Sequence, residues 1–338
     1  MTASPEIFVL DVGHGNCMVL LDTEGVTVID CAPGVTLTQI LEQLRISEIS
    51  NVLISHADED HVGGLIALLQ EPGITVHNVY VNPDAQKETE IWNDVRWALR
   101  DARRTKDTKI ITSLTSELTG SLDNGEVHVE VMGPSPELVL GDHDLNGRRL
   151  TSNSKSAVIR LVHNGRPLML TTGDLDGIGL QNLLEEVADI RADILVFPHH
   201  GGKPGGSDPK EFAAEICSRV QPRSVIFSIA RTRTGFPRLD TIEGVAQVAP
   251  QAHIACTQLS QECATNTPSE FKHLLDYPAK GRGKNSCCAG TIRIDVGRDE
   301  DYQHFNEAHG VFVASLEPTM CRTQVTMAVP LGTKHPAA

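Results

Sequence analysis

Ten residues, Ser55 to Gly64 (SHADEDHVGG), constrain this chain more than any other stretch. The five residues Asn51 to Ser55 (NVLIS) predict a short buried strand, and Gly63-Gly64 opens an amphipathic helix, LIALLQ. Between them, His56, Asp58, Asp60 and His61 place four metal-competent side chains within six positions of one strand-to-helix loop. Carboxylates and imidazoles crowded beside an apolar strand repel one another and lose hydration unless a cation lies among them. An acidic run alone would be a solvated loop. The two flanking histidines and the double glycine point instead to a metal site.

In order along the chain, several further segments accompany this one. H-x-D-x-D-H-x-G-G resembles the metal motif of the metallo-β-lactamase superfamily, whose usual form is H-x-H-x-D-H. With Asp in the third position it is similar to that of the ComEC-type competence proteins and their stand-alone relatives. DVGHGN (Asp11 to Asn16) resembles the opening D-V-G-x-G-D, with Asn16 at its last place, and VTVIDCAPG (Val26 to Gly34) resembles the strand that ends in Asp-x-G. SNSKSAVIRL, LTTGDLD and ILVFPHHGG resemble N-x-x-S-x-V, T-G-D and P-H-H-G-S. The likeness runs from about residue 6 to about residue 296, and its ordered set is far more specific than any one segment.

The resemblance implies an α/β fold, the metallo-β-lactamase αββα sandwich, over residues 1–300. It leaves a cysteine-containing insertion at 257–288 and a C-terminal extension, 301–338, expected to be disordered at its end. Periodicity by itself supports only mixed α/β. IFVLDV, CMVLLD and VTVIDC predict strands, as do ITVHNVYV, AVIRLVHN, PLMLTTGD, ADILVFP, SVIFSIA and GVFVASL. Helices are expected at Thr36 to Arg45, Glu88 to Arg104 and around Phe212 to Val220, with Gly133 to Asn153 as loop. Trp92 and Trp97 suit the core or a partner face, the core being the safer choice.

By resemblance, His56 and Asp58 hold one metal ion, Asp60 and His61 a second, and Asp174 bridges both. His200 completes the second site, with His199 as the alternative and otherwise a substrate-contacting group. Asn153 takes the place of a further histidine, for which His77, His128, His143 and His163 are the other candidates. Ser156 belongs to the same segment. The catalytic set is then Asp60, Asp174 and His199. Asp11 and Asp30 end buried strands and are expected to orient ligands or to cap turns, and His14 to line the pocket. Where relatives carry G-H-P, this chain has GFP with Phe236, so a polar substrate contact is missing. The oxygen-rich first site favours Mn²⁺ or Mg²⁺ and the second suits Zn²⁺.

Composition fits an enzyme, since 338 residues at 40% hydrophobic bury a sizeable core. No basic leader and no run near 18 apolar residues is visible, which predicts a cytoplasmic protein away from the membrane. Eight cysteines without a secretory signal predict reduced thiols or metal ligands. Cys256, Cys263, Cys287 and Cys288 are candidates for a structural zinc that clips the insertion, or are free buried thiols. A net charge of −15 opposes a broad DNA-binding surface. Local basic clusters at Arg96 to Lys109, Arg148-Arg149 and Arg231 to Arg238 remain candidates for phosphate contacts or solvated faces.

Three function classes follow. The favoured one is a binuclear metal-dependent phosphodiesterase or nuclease that uses a metal-activated water, with a phosphodiester or nucleic acid as substrate. The second is a hydrolase of a small ester, lactone or phosphorylcholine-type substrate. The third is a partner-regulated subunit with a vestigial metal site.

Overall fold

Strands buried on both faces carry near-continuous apolar runs, and this chain has them in two sets. The computed structural model describes residues 4–84, 87–265 and 271–321. The first set is β1 (Glu6–Val9), β2 (Cys17–Leu21), β3 (Val26–Cys31), β4 (Glu48–Ile54), β5 (Thr75–Val81) and β6 (Lys109–Ile111). The second is β7 (Val127–Gly133), β8 (Val158–His163), β9 (Arg166–Thr171), β10 (Ile194–Val196), β11 (Ser224–Phe227) and β12 (His253–Cys256). A last strand, β13 (Ile292–Asp295), returns to pair antiparallel with β1.

The seven-stranded sheet runs β13-β1-β2-β3-β4-β5-β6 and the six-stranded sheet β12-β11-β10-β9-β8-β7. Each begins as an antiparallel meander, β1-β2-β3 or β7-β8-β9, and continues through parallel strands. Helices join the parallel strands: α1 (Thr36–Gln43), α2 (Glu59–Val62), α3 (Leu65–Gln70) and α4 (Glu90–Thr105) in the first half. In the second lie α5 (Pro136–Leu140), α6 (Gly177–Glu186), α7 (Pro209–Val220), α8 (Leu239–Val248) and α9 (Asp299–Ala314).

Side-chain alternation sorts the strand residues into layers. Ile7, Val9, Ile29, Leu53, Ile159, Met169, Ile194 and Ile226 fill the space between the sheets. Phe8, Val28, Val52 and Ile54 face the other way, onto Ile40, Leu41, Leu65, Val95 and Leu99 of α1, α3 and α4. Leu170, Leu195, Val225 and Phe227 do the same against Leu180, Phe212, Ile216 and Val245 of α6, α7 and α8. Helix, sheet, sheet, helix is the αββα sandwich, so the expected fold is the observed one. Truncating a residue such as Leu53, wholly buried in the middle layer, costs about 2–5 kcal/mol.

Local signals account for the helix ends. Thr89 caps α4 by accepting from the Trp92 amide, and Arg103 and Arg104 lie at its C-terminal turn, where the helix dipole favours cations. Asp208 caps α7, with Pro209 at the first helical position. Asp176 caps α6 by accepting from the Gly179 amide.

Three expectations are corrected. GVFVASL is no strand: residues 299–314 form α9, because Phe312 and Val313 follow His309 by three and four positions and bury one helical face. The run was misread because its apolar residues were judged without the polar turns before them. Trp92 is in the core, but Trp97 is 63% exposed with the Arg100 guanidinium 4.8 Å from its ring centroid. Trp97 stands five positions after Trp92 and therefore on another face of the helix. The stretch 133–153, read as loop, contains α5. The expected disordered end lies outside the described residues. No helix among the described residues is long and apolar enough to cross a membrane.

Candidate metal centre

In open α/β sheets, sites form beyond the carboxyl ends of parallel strands. Here those ends from both sheets meet. Residues 55–61 follow β4, Asp174 follows β9, and His199 and His200 follow β10. Close approach of these loops requires glycine. A Cβ on Gly64 would stand 2.3 Å from the Ala32 carbonyl oxygen, and one on Gly173 would stand 2.3 Å from Ser156 Oγ. His199 and His200 have φ of 52° and 54°, in the left-handed region that non-glycine residues rarely occupy. Such strain persists at sites where surrounding contacts enforce it.

The imidazoles are held so that each turns Nε2 inward. His61 Nδ1 donates to Asp30 Oδ2 at 2.7 Å, and His200 Nδ1 donates to the Ser228 carbonyl at 2.7 Å. His56 Nδ1 lies 3.0 Å from Ser55 Oγ and 3.4 Å from Ser156 Oγ. The inward atoms His56 Nε2, His61 Nε2, His200 Nε2 and Asp174 Oδ1 are buried without a hydrogen-bond partner. Orphaned buried polar atoms are costly, and four facing one cavity are accounted for by a bound cation.

Asp174 sits at the middle. Its Oδ1 is 3.0 Å from His61 Nε2 and 3.5 Å from His200 Nε2, and its Oδ2 is 2.9 Å from His199 Nδ1 and 4.0 Å from His56 Nε2. Asp60 Oδ2 is 3.3 Å from His200 Nε2 and 3.4 Å from His14 Nε2. His56 Nε2 is 3.9 Å from Asp58 Oδ2. Asp60, His61, Asp174 and His200 each offer a donor atom within 4.8 Å of the others.

The electrostatics agree. Burial disfavours a proton on His61, yet the charges of Asp174 and Asp30 overcome it and raise its pKa well above the usual value. Burial likewise raises Asp174, but His61 and His200 outweigh it and hold this carboxyl well below its usual range. The hydrogen bond to Asp174 raises His199. The carboxylates thus favour a proton on His61 and His199, whereas burial and the neighbouring His61 lower His56. The cavity's mixed carboxylate and imidazole donors fit divalent ions such as Zn²⁺ or Mn²⁺. His14 is driven down to about 4, first by burial and then by His200, and so is neutral in its place against the His200 ring (4.5 Å between centroids).

The supporting residues divide. Asp30 accepts from Ser55 N (2.7 Å), Ser55 Oγ (2.9 Å), Asn16 Nδ2 (3.1 Å) and His61. Ser156 Oγ accepts from the Asp174 amide at 3.2 Å. Asn153 Nδ2 lies 3.5 Å from His199 Nδ1. Asp11 takes another part. Its carboxylate accepts from Gly13 N, Gln258 Nε2 and Gly281 N and meets Cys287 Sγ at 3.5 Å, tying the His14 turn to the cysteine-containing segment. These partners are not the expected metal ligands, so its carboxylate ties loops together rather than orienting the ligands. Nor do the alternative histidines reach the centre. His77, His128 and His163 meet Glu48, Asp123 and Glu126, and His143 is exposed.

The four cysteines offered as zinc ligands or free thiols divide. Cys287 turns to Asp11, while Cys288 Sγ is 3.3 Å from His309 Nε2 and Cys263 Sγ accepts from the Met320 amide at 3.5 Å. Among the described residues, the carboxylate–imidazole quartet is the one group whose donors converge within 4.8 Å. The basic clusters are partly absorbed by structure: Arg148 pairs with Asp144, Arg238 with Asp240, and Arg231 bonds the Ser260 and Cys263 carbonyls.

Sequence reasoning missed two contributors, Ser55 and Lys87, and left the place of Phe236 open. Ser55, the first residue of the motif, links Asp30 to His56, and its small polar side chain before the histidine was the signal. Phe236 packs edge-on against His14, 4.9 Å between centroids, so an apolar ring stands beside this histidine. Lys87 donates to Asp58 Oδ1; nothing in its local sequence marks it.

Residues 10–137 match the Metallo-beta-lactamase superfamily, and the chain carries a domain of that superfamily. It is similar to ComE operon protein 3 of Bacillus subtilis (strain 168), 23% identical over 257 residues, which is 68% of this chain and 29% of that relative. The chain thus spans less than a third of that relative's length. Among solved structures it is similar to the metallo-beta-lactamase fold protein YhfI from Bacillus subtilis, at 13% identity and TM-score 0.45, covering 75% of this chain and 96% of that one. It also resembles Zn(2+)-bound PqqB from Methylobacterium extorquens, at 15% identity and TM-score 0.43, covering 71% and 84%. A third is the short form of human tRNase Z, at 16% identity and TM-score 0.39, covering 67% and 93%.

Proposed function

We propose that the protein is a binuclear metal-dependent hydrolase acting on phosphodiesters, nucleic acid included. The observation that carries this reading is the set of four buried, inward-facing donor atoms without partners, with Asp174 presenting one oxygen to each half of the cavity. His56, Asp58 and Asp174 would hold one ion, with Asn153 beside them, and Asp60, His61, Asp174 and His200 the other. Divalent ions there supply Lewis acidity and lower the pKa of a water to near neutral. Asp30 and Ser55 fix the orientation of His61 and His56, so the donors are arranged before substrate arrives. Asp174 and Asp60 would hold the ions and orient the water between them. His199, 28% exposed, keeps Nδ1 on Asp174, which leaves Nε2 to protonate the leaving oxygen.

Hydrolysis of bis-p-nitrophenyl phosphate and of single- and double-stranded DNA, each with Mn²⁺, Mg²⁺ and Zn²⁺, tests this reading. Failure on every combination would remove the phosphodiester class and leave the second one, a small ester or lactone. Phe236 favours that alternative, because it sets an apolar ring beside His14 at the cavity wall.

A further inference from the structure

The two halves of the centre differ. On the side of Asp60, His61 and His200, the donors lie within 4.8 Å of one another, while the inward nitrogens of both halves, His56 Nε2 included, have no hydrogen-bond partner. On the side of His56, the spacing is wider, 3.9 Å to Asp58 Oδ2 and 4.0 Å to Asp174 Oδ2. Both carboxylates there already meet a proton-bearing group. Asp174 Oδ2 has His199 at 2.9 Å, and Asp58 Oδ1 accepts from the Lys87 ammonium.

Lys87 is no stray surface charge. It precedes α4, and its amide donates to the Asp84 carbonyl, which also accepts from Trp92 Nε1. The Asp84 carboxylate in turn accepts from Ser152 Oγ, next to Asn153. The turn that bears the ammonium is therefore fastened to the same segment that flanks the first half of the centre. The ion pair is partly open, with side chains 21% and 29% exposed.

We infer that the centre loads its ions unequally and that Lys87 is the cause. This rests on the metal-centre reading above. The first ion enters among Asp60, His61, Asp174 and His200. The half containing His56 already has a cation at its edge, the ammonium on Asp58 Oδ1, and a second ion on the Oδ2 that faces His56 must share this carboxylate with it. An ammonium beside a divalent ion is repelled, and more strongly in a half-buried cavity than in water. Released from Asp58, Lys87 stands at the open face and needs an anion. A phosphodiester oxygen supplies one, so anionic substrate and the second ion favour each other's binding. A neutral ester has no such effect.

The test is a Mn²⁺ titration of the chelator-treated full-length chain, following free Mn²⁺ by electron paramagnetic resonance. One ion should bind at least about tenfold more tightly than the second. Lys87→Met should tighten the second ion by about tenfold, because it removes the charge repulsion, and leave the first unchanged, whereas Lys87→Arg keeps the gap. A phosphodiester that is bound but not hydrolysed, a phosphorothioate, should narrow the gap in the parent chain but not in Lys87→Met. Circular dichroism of each variant establishes folding. Equal affinities in the parent chain, or a Lys87→Met variant whose second ion binds no tighter, would overturn the inference alone. Binding of no ion would overturn the metal-centre reading with it.

Discussion

The metal loop and the cysteine-containing C-terminal region both gather potential ligands, yet they are built in opposite ways. Around Ser55–Gly64, donors come from short loops at strand ends and are left without partners facing a cavity. Around Cys256, Cys263, Cys288 and Cys321, the side chains pack with Leu259, Leu274 and Phe312, and those of Cys263 and Cys288 have partners of their own. His253 Nε2 lies 2.9 Å from His309 Nδ1, and His309 reaches Cys288. A site poised for a ligand shows as unsatisfied groups, whereas a core of similar chemistry shows as satisfied ones. Metal-competent residue types are therefore poor evidence until their partners are known.

That contrast breaks most visibly at Asp174. Asp174→Ala should lower phosphodiester kcat/KM by at least about 10³-fold and remove both ions, since one carboxylate serves both halves. A variant that keeps two ions would show that Asp174 does not bridge. Asp30→Asn should be milder, losing about 10–100-fold in metal affinity, because it loosens His61 without removing a ligand. Equilibrium dialysis of the two variants side by side measures the difference; equal losses would erase the distinction between ligand and support.

The C-terminal region should respond to acid instead. Burial lowers His253 to about 4, and burial with its histidine neighbours holds His309 well below the usual value. In the unfolded chain both take up protons near pH 6.5, before the folded chain does. Stability is thus complete above about pH 6.5 and falls as pH drops from there toward 4. Melting temperatures across that window should decline, and His253→Gln should flatten the decline. An unchanged slope would mean that other groups dominate.

Much of this was legible from sequence, and the pattern of what was not is physical. The αββα layering follows from apolar strand runs and the ordered motifs. His56, Asp58, Asp60 and His61 share one short loop after β4, whereas Asp174 and His200 follow β9 and β10 and were reachable only through the order of the motifs. Lys87 and the fate of Cys287 were hidden, since both depend on contacts across 29 and 276 residues. The change of Asp11 from ligand support to tether has the same origin, as its partners Gln258 and Gly281 lie at the far end of the chain. Helix α9 is hidden when the five apolar residues of GVFVASL are taken out of their helical context.

The smallest expected effect is at the thiols. Cys263→Ser should leave metal content unchanged and move the melting temperature only slightly, since one weak N–H···S contact is exchanged for a hydroxyl. Loss of a zinc ion in this variant would reveal a thiolate site that the separate partners of Cys287 and Cys288 argue against.

The central claim is a binuclear centre at the junction of the two sheets. Elemental analysis of the full-length chain at saturating Mn²⁺ or Zn²⁺, paired with bis-p-nitrophenyl phosphate hydrolysis on the same sample, tests it most directly. A binuclear centre should give two ions per chain, hydrolysis that appears with them, and loss of both in Asp174→Ala. Fewer than one ion per chain under every metal supply would contradict it.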